Sequence, residues 1–118
     1  MIFKNSKDEI QHQKHEAELG CTKAQHRLGV LLIQEAKTIN NLFEAYKWLF
    51  ISVVLGNENA RNDLQRVNNL LGSDEDIDTG FDLVTEWFRE KFDDRKSSNE
   101  EKWSPELLKW RFSPAYVH

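Results

Sequence analysis

A chain of 118 residues, 39% hydrophobic and 31% charged, is long enough for one globular domain with its own core, and its single cysteine, Cys21, excludes an intramolecular disulfide. No apolar run approaches the roughly 20 residues of a membrane span. The opening MIFKNSKDEIQHQKHE has neither the apolar core nor the small-residue cleavage site of a secretory signal, so a cytoplasmic protein without membrane contact is expected. The net charge of −4 is uneven: residues 73–94 hold nine acids against Arg89 and Lys91, a local −7, which leaves +3 for the rest. Such a balance speaks against a nucleic-acid binder, which needs a basic stripe to neutralise phosphates.

Few prolines or glycines interrupt the chain, β-branched alternation is absent, and apolar spacings of three and four recur throughout. This predicts an all-α fold of about five main helices plus a short C-terminal turn. The first helix is expected over residues 6–19, with Ser6 and Glu9 as a capping box and Gly20 as the stop. Its apolar contacts are few, Ile10, Ala17 and Leu19, as suits an edge helix. A second helix, capped by Thr22, aligns Ala24, Leu28, Leu31 and Leu32; Gly29 inside it costs about 1 kcal/mol relative to alanine, which a close helix crossing would justify.

The third helix, residues 41–56, is the most apolar stretch. Glu44, Lys47 and Ser52 leave only a narrow wet stripe, while Tyr46, Trp48, Leu49, Phe50, Ile51 and Val53 cover most of the circumference, so it should be buried among neighbours. Asn41 is its expected cap, with Gly56 taking the left-handed conformation that ends it. Asn57 then caps a segment with the stripe Ala60, Leu64, Val67 and Leu71, ending at Gly72. Ser73 caps a helix whose buried side is Ile77, Phe81, Val84, Trp87, Phe88 and Phe92. Residues 93–104 form a charged linker by composition. Ser104 and Pro105 open a tail, residues 105–118, whose Leu107, Leu108, Trp110, Phe112, Tyr116 and Val117 should dock on the domain or on a second copy in a homodimer.

A faint internal repeat decides the expected architecture. Gly20, Ala24 and Leu28 recur as Gly56, Ala60 and Leu64, each 36 residues on. A helix-ending glycine, a small residue at a crossing and a core leucine are what two stacked helical hairpins need at equivalent places.

With Ala17-x-x-Gly20, Ala24-x-x-x-Leu28-Gly29, the run Glu44-Ala45-Tyr46-Lys47-Trp48 and Gly56-Asn57-x-x-Ala60, the chain resembles the Sel-one-like repeat (SLR) proteins, relatives of the tetratricopeptide repeats (TPR), over about residues 15–90. The resemblance implies a right-handed stack of antiparallel hairpins in a domain spanning residues 1–92, with one clear repeat at about 17–56 and a degenerate one at about 57–92. It departs from the family at residues 35–40, which lack the usual glycine loop, so a longer second helix or a different turn is expected. Gln65 and Asn68 stand where Gly29 and Leu32 stand in the first repeat.

The resemblance also implies a protein-protein interaction module that binds a partner on its concave face. Carried onto Leu28-Gly29, the family's ligand-facing positions are Lys23, His26, Val30, Ile33 and Gln34, joined by Asn62 and Arg66 from the second repeat. No cofactor is implied.

Other chemistry finds little support. His12, His15 and His26, with Cys21 between them, superficially suggest a metal site, but no acid or second cysteine stands at matching spacing, and solvated or partner-facing histidines are expected. Cys21 has no base that can be named beside it. Asp78, Asp82, Glu86 and Glu90 fall on one helical side at spacing four, as a carboxylate pair for acid-base work could; they are read instead as a solvated face opposite Phe81 and Phe88, with a docking surface for a basic partner as a third possibility. No phosphate loop, nucleophile elbow or metalloprotease motif occurs, so a non-enzymatic protein is expected. The alternative reading is a small bacterial immunity or inhibitor protein that occludes a toxin or enzyme.

Overall fold

A computed structural model describes residues 6–92 and 104–114. These residues form six α-helices and one 3-10 turn, with no strand among them: α1 (Ser6–Glu18), α2 (Thr22–Gln34), α3 (Ile39–Val54), the 3-10 turn (Glu58–Ala60), α4 (Arg61–Leu71), α5 (Asp74–Phe92) and α6 (Pro105–Phe112). No helix among the described residues is long and apolar enough to cross a membrane.

The chain organises itself around α3. Tyr46, Trp48, Leu49, Phe50, Ile51 and Val53 are all buried, and α2, α4, α5 and α6 each pack on this helix. Two of its neighbours approach closely, each through a glycine. A Cβ on Gly29 of α2 would overlap the Leu49 side chain, and one on Gly80 of α5 would come within 2.9 Å of the Tyr46 ring. Gly29 is thus accounted for by a close crossing, and Gly80 marks a second one that the periodicity did not single out. Trp48 meets Trp87 edge-on at 6.3 Å, and Phe50 meets Phe81 at 5.4 Å, knitting α3 to α5.

The 36-residue recurrence is visible in the backbone. Gly20 and Gly56 both have left-handed φ, 99° and 112°. Gly20 N–H donates to Ala17 and Cys21 N–H to Glu16; Gly56 N–H donates to Val53 and Asn57 N–H to Ser52, at 2.9 to 3.2 Å. Both turns are the same double-bonded helix stop, which satisfies carbonyls the helix end leaves open. Ala24 and Ala60, like Leu28 and Leu64, are buried at matching places.

The C-terminal segment docks on its own chain. Ser104 Oγ accepts from Leu107 N–H and Pro105 occupies the first turn, giving a helix of eight residues rather than a short turn. Leu108 and Ser113 are buried. Lys109 Nζ lies 3.2 Å from Asp78 and 5.3 Å from the Phe81 ring centroid, tying α6 to α5. Tyr46 shares a hydrogen bond with Ser113, and burial pushes its phenol well above the ordinary value. Of the expected linker over residues 93–104, residues 93–103 lie outside the described residues, as do Tyr116 and Val117, while Ser104 caps α6.

Several local expectations are corrected. Thr38, not Asn41, precedes α3, because Asn41 turns back and its Nδ2 donates to the Glu35 carbonyl, holding the end of α2. α2 stops at Gln34 instead of running longer. Cys21 replaces Thr22 at the cap of α2, and the Thr22 carbonyl accepts from Ser52 Oγ at 2.8 Å. Ser52, placed on the wet stripe by period, is therefore fully buried. Glu9 bonds Arg27 rather than serving α1 alone. Leu19, Phe92, Leu107 and Trp110 are exposed because each lies at a helix end or on the outer side of a peripheral helix.

Candidate interaction surface

α2 and α4 both pack on α3 and touch one another. Of the residues expected to face a partner, Lys23, Gln34, Asn62 and Arg66 are exposed, while His26, Val30 and Ile33 are half-buried. Ile33 packs partly against the core, which explains an apolar side chain standing off the main stripe.

Lys23, His26 and Val30 converge on an open recess of about 390 Å³, completed by Arg27 and by Asn57 and Asn59 from the turn before α4. Ile33, Gln34, Asn62 and Arg66 lie outside its walls. Asn57 is held rigidly there: its Nδ2 donates to Ser52 Oγ at 3.1 Å, and its Oδ1 accepts from Asn59 N–H. The turn that ends the first hairpin thereby forms one wall of the recess, and the first two turns of α2 form the other.

Asp63 joins the two helices. One carboxylate oxygen lies 2.8 Å from His26 Nε2 and the other 3.3 Å from an Arg66 nitrogen, so two expected site residues meet on a third that sequence reasoning passed over. Arg27, on α2, makes a similar lateral tie toward α1, pairing with both oxygens of Glu9 at 2.8 and 3.2 Å. That bond holds the Glu9 carboxyl below the usual carboxylate range and raises Arg27. Arg27 and Asp63 are themselves 36 residues apart, and each reaches sideways to another helix, Arg27 to α1 and Asp63 to α2. The spacing was the available signal for Asp63; the recess roles of Asn57 and Asn59 had none, because each reads locally as an ordinary turn residue.

The surface offers an exposed ammonium at Lys23, amides, ion pairs and the side of Val30. No group of three or more metal-ligating side chains converges among the described residues. Cys21 is an exposed free thiol. On α5, Asp78, Asp82, Glu86 and Glu90 are all exposed, opposite the buried Phe81 and Phe88. Asp78 pairs with Lys109.

Comparison with known proteins found no matching protein-family model, no matching curated protein and no matching solved structure.

Proposed function

We propose that the protein is a non-enzymatic interaction module of the Sel-one-like repeat type, a short stack of helical hairpins that binds another protein on the concave side formed by α2 and α4. The recess carries this reading. It gathers Lys23, His26 and Val30 against Asn57 and Asn59 on a frame made rigid by two repeated turns and by the Asp63 tie. Preformed polar groups on such a frame bind with little ordering cost.

Photocrosslinking with benzoylphenylalanine at residues 23, 62 and 86 in the native host tests it. Adducts with one protein are expected from positions 23 and 62 and not from 86. With the captured protein purified, Lys23→Glu and Arg66→Glu should each weaken binding about tenfold, roughly 1.4 kcal/mol.

A second reading rests on the exposed row Asp82, Glu86 and Glu90 on α5. It is that of a small immunity or inhibitor protein, which would place this row on a basic toxin or enzyme and bind in a salt-sensitive way. An adduct from position 86 alone would replace the first reading with this one.

A further inference from the structure

A separate pocket of about 300 Å³ opens where the end of α3, the end of α5 and α6 meet. Its walls include Leu55, Phe88, Phe92, Leu107 and Phe112, with Arg111 at the same site. Leu55, Phe92 and Leu107 are 38%, 44% and 43% exposed, so three of the seven most exposed large apolar side chains of the described residues ring one cavity. Scattered exposure of this kind is ordinary; convergence on a concave site is what ligand pockets show.

The charge beside it is equally specific. Arg27, Arg61 and Arg66 each meet a carboxylate, whereas Arg111 meets none among the described residues and lies 5.7 Å from the Phe112 ring centroid. A guanidinium beside apolar walls matches one carboxylate through two parallel hydrogen bonds. A cation would be repelled, a neutral apolar body would cover the guanidinium without a partner, and a dianion would bring a second charge that nothing offsets. A water's share of liquid volume is about 30 Å³, so the pocket takes about ten heavy atoms, far less than a protein partner presents.

We propose that this pocket binds an apolar monocarboxylate of about eight carbons, with its chain among the leucine and phenylalanine side chains and its carboxylate on Arg111. Octanoate titrated into the 15N-labelled full chain, followed by amide shifts, tests it. Saturable shifts should centre on residues 55, 88–92 and 107–112. Arg111→Gln, a change at an exposed side chain, should weaken octanoate at least about tenfold and leave 1-octanol binding unaltered. Leu107→Gln should weaken both ligands. Shifts that fail to saturate below millimolar octanoate, or equal octanoate affinity in the Arg111→Gln chain, would overturn the proposal. Neither outcome bears on the interaction surface, which lies on α2 and α4.

Discussion

The turns at Gly20 and Gly56 share one hydrogen-bond pattern, yet the helices that follow them pack differently. α2 closes tightly on α3 because Gly29 lets Leu49 fill the space a side chain would need. At the same distance from its own turn, α4 carries the exposed Gln65, whose amide donates to Asn69 Oδ1. Its first residues also tighten into a 3-10 turn where α2 is already regular. The recurrence sets where each helix stops and which side it buries; how near it comes to its neighbour depends on residue size at the crossing. α5 shows the same rule, since Gly80 brings it against Tyr46 with no counterpart in the repeat.

The comparison makes α3 the element both halves need. Trp48→Ala, which empties a fully buried site next to Trp87, should lower stability by about 3 to 5 kcal/mol in denaturant unfolding. Intact stability would mean that α3 is not the common wall of the two halves.

Next in size is the crossing itself. Gly29→Val should cost about 1 to 3 kcal/mol through overlap with Leu49, although valine is the better helix former. The equivalent Gln65→Val should change stability by no more than about 0.5 kcal/mol. Adding Leu49→Ala to Gly29→Val should give less than the sum of the two single costs, since both act on one space. Strict additivity would separate the glycine from the leucine and undo the contrast between α2 and α4.

Much of this was legible in the chain. Gly20, Gly56 and Gly72 read as helix stops, and the stripe Ala60, Leu64, Val67 and Leu71 read as buried, because both signals are local. Ser52 and Asn41 misled for the opposite reason. Each bonds a carbonyl on another segment, Thr22 and Glu35, and no period along a single helix reports such a partner. At the candidate surface, Lys23, His26 and Val30 were named from the position of Leu28-Gly29, whereas Asp63 and the Asn57 wall needed the helices placed side by side.

Alkaline pH gives a smaller test, on the side of α3 that faces α5 and α6. The Tyr46 phenol is raised by burial, so the folded chain holds its proton above the ordinary value of 10.0 while the unfolded chain releases it. Its contribution is therefore complete below pH 10 and falls by about 1.4 kcal/mol for each further pH unit. Tyr46→Phe should remove that part of the fall, measured as the difference in unfolding midpoint between pH 9 and pH 11. Parallel curves for the two chains would show the phenol to be solvated.

The lateral ties should matter least. Asp63→Ala removes the partner of both His26 and Arg66 and should cost about 1 kcal/mol or less, since all three side chains remain partly wet. For Glu9 the carboxyl is lowered by Arg27, so its contribution is present above the ordinary 4.5 and fades as the pH drops through the lower folded value. Arg27→Met should flatten that acid dependence, read as thermal midpoint between pH 5 and pH 3. A larger effect from either tie than from Gly29→Val would place the strength of the fold on its surface.

Native-state hydrogen exchange on the full chain tests the central claim most directly. If α3 is the shared wall, amides at residues 49–53 should exchange only by global unfolding, and buried amides of both α2 and α5 should reach the same limiting free energy. Slow exchange confined to α1, α2 and α3, with α4 and α5 opening independently at much lower cost, would contradict it.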